Sequence, residues 1–122
     1  MLSRRERQIM DIVYQSDRVT AVQVRDAMPD PPSYSAVRAL LRVLEDKGHL
    51  QHETEGNRYV YRATRGRRQA SRAALEHLVR TFFEGSATKA AAALLETNRK
   101  QLDTEELDAL TKLIEKAREE GR

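Results

Sequence analysis

SYSAVRALLRVLEDKGHL, residues 33–50, combines an apolar helical stripe with a basic helical face. Its apolar side chains recur at i, i+3, i+4 and i+7, the spacing of one buried helix face, at Val37, Leu40, Leu41 and Leu44. Arg38 and Arg42 lie four residues apart and share another face, which points away from that stripe. No acidic residue precedes either arginine by three or four positions, whereas Glu45 and Asp46 follow one turn later. The stretch therefore predicts a helix that presents two arginines to solvent or to a partner.

Two shorter helices are predicted before this segment, and each begins at a capping box. In the first, Ser3 is followed three residues later by Glu6, and an apolar stripe continues to about residue 15. In the second, Thr20 is followed by Gln23. This helix must end near Met28, because prolines at positions 29, 31 and 32 cannot continue it.

The residue pattern changes after Gly48, which suits the left-handed position beyond the end of a helix capped by Ser33 or Ser35. LQHET and RYVYRA alternate and are rich in Tyr and Val, and the EGN between them suits a tight turn. The predicted order is three helices and then a β-hairpin with a charged tip. A basic third helix followed directly by a two-stranded wing is the winged variant of the helix-turn-helix. We therefore predict a winged helix-turn-helix DNA-binding domain over residues 1–68.

The rest of the chain predicts three more helices and no strand, which makes the fold class mainly α with a small β-hairpin. After a basic hinge, TRGRR, one helix spans residues 69–84, a second follows Ser86, and a third begins at the capping box of Asp103 and Glu106. Each has an apolar face, yet a segment of this size rarely closes a core alone. Packing on the winged domain is one solution, and a two-fold dimer that buries every stripe is the favoured one. We predict a helical dimerisation domain over residues 69–122, with contacts at Leu75, Leu78, Phe82, Phe83, Leu94, Leu107, Leu110 and Ile114.

Positive charge is concentrated in the first half of the chain. The 122 residues carry a formal net charge of +3, and 34% of them are charged. Residues 1–68 contain 13 Lys and Arg against 9 Asp and Glu, whereas residues 69–122 contain 9 against 10. The predicted winged domain therefore has the field that attracts nucleic acid, although an ordinary basic surface has the same composition.

The composition also excludes several kinds of site. The chain has no cysteine, which rules out disulfides, thiolate metal sites and cysteine nucleophiles. No apolar run approaches the roughly 20 residues of a membrane span, and MLSRRERQ lacks a signal-peptide apolar region, so we expect a cytoplasmic protein. A metal site at His49 and His52 is conceivable, but His77 is the only other histidine, and packed or surface histidines are the default. No catalytic constellation is visible, and we expect neither an enzyme nor a cofactor or metal.

The basic face of the third helix has three interpretations. It is an ordinary solvated face, or a face whose arginines are paired to Glu45 and Asp46, or a surface that contacts DNA. The preceding short helix, the tight turn and the following wing favour DNA, because the N-terminal half of such a helix approaches base edges in the major groove. The residues presented there are Ser33, Tyr34, Ser35, Arg38, Ala39 and Arg42.

Three more arginines are candidate contacts outside this helix. Arg58 lies at the predicted tip of the hairpin, where a wing reaches the minor groove or a phosphate. Arg4 and Arg5 lie at the start of the first helix, where the helix dipole gives cations no benefit. The prediction is phosphate contact for Arg4 and Arg5, and minor-groove or phosphate contact for Arg58.

Five segments distributed over nearly the whole chain resemble one family of regulators. They are LSRRERQIMDIVYQ, SAVRALLRVLEDKGHL, GNRYVY, FFEGSATKAAAALLE and LDTEELDALTKLIE. The chain is similar in these to the penicillinase-repressor (BlaI/MecI/CopY) family of bacterial transcriptional regulators. The resemblance implies a homodimeric repressor that binds an inverted-repeat operator and dimerises through its C-terminal helices. It also implies release of repression through cleavage by a membrane-bound sensor protease, or through metal in the copper-responsive branch.

The sequence departs from that family at three points. Val43 stands where members commonly carry an arginine, so an operator sequence cannot be transferred. The copper-responsive branch uses C-terminal cysteines, which this chain lacks. Well-known members are cut at an Asn–Phe bond, whereas Asn57 and Asn98 are both followed by arginine. We expect any cleavage within residues 94–103, and keep as alternatives a ligand-sensing winged-helix regulator and a winged-helix module that contacts protein or RNA.

Overall fold

The structure is a computed structural model, and it describes residues 2–121. Contacts divide the chain into two compact units, one ending at Ala73 and the other beginning at Ala74. The described elements are α1 (Arg4–Ser16), β1 (Val19–Thr20), α2 (Ala21–Ala27), α3 (Tyr34–Asp46), β2 (Leu50–Glu55), β3 (Arg58–Ala63), α4 (Arg67–Phe82), α5 (Ala87–Thr97) and α6 (Thr104–Glu120). The mainly helical fold with a small antiparallel sheet confirms the predicted class.

The two capping boxes predicted in the first half of the chain begin helices α1 and α2. The Ser3 hydroxyl accepts a hydrogen bond from the Glu6 backbone N–H at 3.2 Å, and the Glu6 carboxylate accepts one from the Ser3 N–H at 2.9 Å. Thr20 and Gln23 make the same reciprocal pair at the start of α2. Of the two serines that could begin α3, Ser33 is the cap. These side chains satisfy backbone donors that the first helical turn leaves without partners.

Helix α3 ends in a Schellman motif that turns the chain into the wing. Gly48 has φ +85°, a left-handed conformation that costs glycine little. Its N–H donates to the Glu45 carbonyl at 3.0 Å, and the His49 N–H donates to the Leu44 carbonyl at 2.9 Å. Strand β2 then begins at Leu50, so the wing follows α3 without a flexible linker.

The wing has three strands rather than the predicted two, in the order β1-β3-β2. The hairpin of β2 and β3 is confirmed, with Glu55 paired to Arg58 across a two-residue turn. The additional strand β1 pairs antiparallel with β3, with Val19 opposite Tyr61. The prediction missed β1 because two residues are too few to show an alternating pattern. Arg18, the residue just before β1, forms an ion pair with Glu55 of β2.

The apolar faces of α1, α2 and α3 meet against the wing in one core. Its members are Ile9, Met10, Val13, Val19, Ala21, Val24, Met28, Val37, Leu41, Leu44, Leu50 and Tyr61. Three of the four residues of the predicted α3 stripe are fully buried, and Leu40 packs at the edge. Burial of this stripe fixes the rotation of α3 and directs its basic face outward.

A buried carboxylate links the start of α1 to the end of α3. Glu6 is 5% exposed, and the Lys47 ammonium donates to its carboxylate at 2.9 Å. Hydrogen bonds, first from the Ser3 N–H and then from Lys47, lower the pKa of Glu6 to about 2. The interaction stabilises the ionised carboxylate and holds the two helices in register.

Among the three helices of the second half, α4 has shifted bounds, whereas α5 and α6 begin at the predicted caps. Helix α4 begins at Arg67 and ends at Phe82, two residues earlier at each end than the predicted span of 69–84. Glu84 and Gly85 have φ of 55° and 77°, and two left-handed residues cannot continue a right-handed helix. Phe83, predicted within the helix, therefore lies just beyond it and is half-buried. Ser86 and Asp103 cap α5 and α6 as predicted.

The second unit leaves most of its apolar surface uncovered. Among its described residues, 74–121, only Ala90 is buried. Within residues 2–121, no helix has the length and apolar character needed to cross a membrane.

Candidate nucleic-acid interface

The exposed face of α3 carries four of the predicted contact residues. Ser35, Arg38, Ala39 and Arg42 are all exposed and follow the i, i+3, i+4, i+7 spacing of one helix face. The stripe of Val37, Leu41 and Leu44 occupies the opposite, buried side. The helix therefore presents two guanidinium groups next to the small side chains of Ser35 and Ala39, which permit close approach to another molecule.

The arginines of this face are not neutralised by the acids that follow them. Across the described residues, neither Arg38 nor Arg42 forms an ion pair with Glu45 or Asp46. Glu45 instead accepts a bond from the ring Nδ1 of His52 at 2.6 Å. The interpretation of a face whose arginines are paired to the acids one turn later therefore does not describe this helix.

At the N-terminus of α3, some polar side chains bond within the protein and others have no partner among the described residues. The Ser33 hydroxyl accepts from the Ala36 N–H at 3.1 Å as the helix cap. Tyr34, the first helical residue, is 42% exposed, and its hydroxyl accepts a hydrogen bond from Arg38 at 3.2 Å. That bond is the main reason that the pKa of Arg38 is raised above its usual value. The Ser35 hydroxyl is exposed and forms no hydrogen bond within residues 2–121, so it is available to another molecule.

Arg38 lies between aromatic rings of two elements. Its guanidinium carbon is 5.8 Å from the centre of the Tyr34 ring on α3 and 5.5 Å from the Tyr59 ring on β3. Both distances are within the range of a cation–π interaction. Tyr61 lies close enough for the charge of Arg38 to oppose the rise in pKa that burial gives the Tyr61 phenol.

An open groove of about 500 Å³ lies between the N-terminal end of α3 and the wing. The groove is lined by Thr20 of β1, by the start of α2, by the start of α3 and by strand β3 with its turn. Its polar lining groups include Gln23, Arg38, Asn57 and Arg58. Two arginines and two amides along one groove form a surface suited to a phosphate backbone.

The remaining predicted arginines differ in what they contact. Arg58 is exposed at the start of β3 beside the wing turn. Arg4 is exposed and makes no side-chain bond in the part of the chain that the structure describes. Arg5, in contrast, donates to the backbone carbonyls of Pro29 and Asp30, each at 2.7 Å. Its guanidinium holds the α2–α3 turn, which leaves Arg4 as the more available of the pair.

Sequence reasoning overlooked Tyr59 and the partners of His52. Tyr59 stacks on His52 with ring centres 4.0 Å apart and planes at 17°. The signal was present in the alternation of RYVYRA, because Tyr59 and Tyr61 must share one face of the strand. His49 is exposed, and no cluster of three metal-ligating side chains occurs within residues 2–121.

Comparison with known families and structures adds an independent finding. The family model described as "Penicillinase repressor" matches residues 2–116, nearly the whole chain. Comparison with curated proteins finds no significant match.

Several solved structures share the fold at low sequence identity. Reduced MarR from E. coli is 17% identical with a TM-score of 0.53, covering 95% of this chain and 77% of that one. FabT from Streptococcus pneumoniae, solved in complex with DNA, is 17% identical with a TM-score of 0.54, covering 97% and 74%. A mutant of ZitR from Lactococcus lactis is 17% identical with a TM-score of 0.53, covering 99% and 76%. At this identity the likeness shows the winged-helix fold alone.

Proposed function

This chain belongs to the penicillinase repressor family of DNA-binding transcriptional regulators, and from that premise we propose that it is a homodimeric repressor of an inverted-repeat operator. The observation that carries the proposal is the exposed face of α3, where Arg38 and Arg42 have no acidic partner in the described residues. An arginine fork can donate to O6 and N7 of guanine, and this pairing is the commonest specific contact in the major groove.

The contacts divide into base-reading and backbone groups. Arg38, Ala39 and Arg42 lie on the face that enters the groove, and we assign base contact to them. Ser35 and Tyr34 carry hydroxyls at the N-terminal end of α3, where they can donate to phosphate oxygens. Arg58 on the wing and Arg4 at the start of α1 complete the proposed contacts with the backbone.

Exposed apolar side chains of the second unit support a dimer. Phe82 is 70% exposed, Leu94 and Ile114 are each 57% exposed, and Leu75 is 54% exposed. A monomer with this much apolar surface in contact with water gains stability by covering it. A second copy of the same unit covers every such face through one two-fold operation, so we assign dimerisation to the predicted set, which comprises Leu75, Leu78, Phe82, Phe83, Leu94, Leu107, Leu110 and Ile114.

A two-fold dimer presents two α3 helices to one duplex. Symmetric readers bind half-sites about one helical turn apart, or a small multiple of it, so the operator repeats in inverted orientation. Linking the two half-site contacts makes the second an intramolecular event. Operator affinity therefore depends on the second unit as well as on the arginines of the first.

The experiment that tests this function is selection of duplexes from a randomised pool by the full-length protein. We expect an enriched inverted repeat and an affinity that falls steeply with salt, because each neutralised phosphate releases counterions. Equal affinity for the enriched duplex and for random DNA at every salt concentration would refute the proposal.

The signal that ends repression is the second part of the proposal. The α5–α6 connection, residues 98–103, is polar apart from Leu102 and mostly exposed, which favours proteolysis. Residues 94–97 of the predicted cleavage window belong to α5, so the proposed cut is confined to the connection. A membrane-bound sensor protease is the proposed partner. Intact mass of the protein before and after induction tests this, and full-length protein that persists while target genes are transcribed would contradict it.

A further inference from the structure

Four side chains form a continuous stack from the body of α3 to its DNA-facing surface. The Glu45 carboxylate accepts a bond from the His52 ring at 2.6 Å. The His52 ring stacks on Tyr59 at 4.0 Å between ring centres, and Tyr59 lies 5.5 Å from the guanidinium carbon of Arg38. The contacts therefore run from Glu45 on α3 to His52 on β2, then to Tyr59 on β3, and back to Arg38 on α3.

The register of the wing explains how these groups meet. His52 lies directly opposite Tyr61 in the ladder, and Tyr59 is the diagonal neighbour on the same face. That face of the sheet packs on α3, since Tyr61 and Leu50 both belong to the core. The hairpin thus places an aromatic ring at the exposed edge of α3 beside Arg38, about two helical turns before Glu45.

We propose that Tyr59, supported by His52, is a positioning residue that holds the Arg38 guanidinium in its DNA-reading orientation. The stack makes the wing a support for the recognition helix in addition to a phosphate contact. This positioning role rests on the proposed function, because an orientation that reads DNA presupposes that α3 binds DNA.

A flexible arginine gains from such support before it meets DNA. The side chain loses rotamer freedom when it binds a base, and this loss weakens the interaction. An aromatic ring beneath the guanidinium restricts it in advance, while the N–H donors that do not bond the Tyr34 hydroxyl remain for hydrogen bonding. Tyr34 contributes a second ring at 5.8 Å and a hydroxyl acceptor at 3.2 Å, so the guanidinium is held from two elements.

The first test needs no DNA. In the free full-length protein, the ring current of Tyr59 should displace the Nε–H resonance of Arg38 upfield. We expect Tyr59→Phe to keep this displacement, because the ring remains, and Tyr59→Leu to reduce it. His49→Gln is the matched control, because His49 is an exposed histidine of the same region with no ring contact in residues 2–121. An Arg38 resonance that is unchanged by Tyr59→Leu would overturn the proposal, whether or not the protein binds an operator.

The second test is a double-mutant cycle on the duplex selected from the randomised pool. Tyr59→Leu should weaken binding about two- to fivefold, the loss expected for an exposed cation–π contact. Tyr59→Phe should bind as the parent protein does. In the Arg38→Ala background the same Tyr59→Leu change should have no effect, because the group it positions is absent.

The two tests separate the positioning role from the function on which it rests. Selection that enriches no duplex refutes the proposed function, while the resonance measurement still decides the placement of Arg38. An equal loss from Tyr59→Leu with and without Arg38 means that Tyr59 contacts DNA itself or stabilises the wing in general, and it overturns the positioning role. If Tyr59→Leu weakens binding to random duplex as much as binding to the selected duplex, the positioning role is likewise overturned.

Discussion

Replacing Phe82 with alanine tests the proposed dimer at its most exposed aromatic side chain. Phe82 is the last residue of α4 and is 70% exposed in the single chain. If a second copy covers this surface, the substitution removes apolar contact from the interface and takes little from the fold of the monomer. The change should therefore alter association and leave the secondary structure intact.

The expected size of the effect follows from that exposure. Complete burial of a phenylalanine contributes about 1.5–3 kcal/mol, so covering the exposed 70% contributes about 1–2 kcal/mol per protomer. A two-fold interface contains the residue twice, which gives about 2–4 kcal/mol per dimer. The dimer dissociation constant should rise about thirtyfold to a thousandfold.

Sedimentation equilibrium over a range of protein concentrations measures that constant. Val22→Ala is the matched control, because Val22 is an apolar residue of the first unit that is 45% exposed. The control should dimerise as the parent protein does, and circular dichroism should show that both variants keep their helices. A Phe82→Ala protein that dimerises with unchanged affinity would remove Phe82 from the interface and weaken the argument from exposed apolar faces.

Three further predictions concern other parts of the molecule. Arg38→Ala should reduce the binding free energy for the selected duplex by about 1–3 kcal/mol and relax the preference at one base pair. Arg58→Ala should weaken binding to the selected duplex and to random duplexes about equally. Fluorescence anisotropy measures both affinities. Glu6→Gln should lower the free energy of unfolding at neutral pH. Because folding lowers the pKa of Glu6 from 4.5 to about 2, that deficit should be constant above pH 4.5 and disappear as the pH falls towards 2 in denaturation experiments. A chain ending at Ala73 should sediment as a monomer and lose about a hundredfold or more in operator affinity.

Much of the fold was predictable because its signals are local. Ser3, Thr20, Ser86 and Asp103 mark helix starts through side chains that bond the backbone three residues later, and all four are caps in the structure. Strand β1 and the two-residue shift of α4 were missed. A strand this short depends on pairing with β3, and the end of α4 depends on left-handed backbone at Glu84 and Gly85. Neither strand pairing in the folded protein nor left-handed backbone at single residues produces a periodic pattern in the sequence.

The sequence was enough to predict which face of α3 is exposed, but not which side chains contact the arginines on it. Burial of the α3 stripe was enough to direct Arg38 and Arg42 outward. The partners of Arg38 required the register of the hairpin, which brings Tyr59 beside His52 and both back to α3. The engagement of Arg5 with the α2–α3 turn was equally invisible, since its acceptors lie 24 and 25 residues away in the sequence.

If dimerisation and base reading are carried by separate units, as proposed, defects in the two should give different operator-binding curves. When dimerisation is weakened, as in Phe82→Ala, the concentration of dimer varies with the square of total protein over the range where monomer predominates. Operator occupancy should then rise more steeply with protein concentration than in the parent protein, and it should reach the same plateau. Arg38→Ala leaves the dimer intact, so its curve should shift to higher concentration with unchanged steepness. Identical curve shapes for the two variants, measured on one duplex at one salt concentration, would mean that association and base reading are not carried by separate units of this chain.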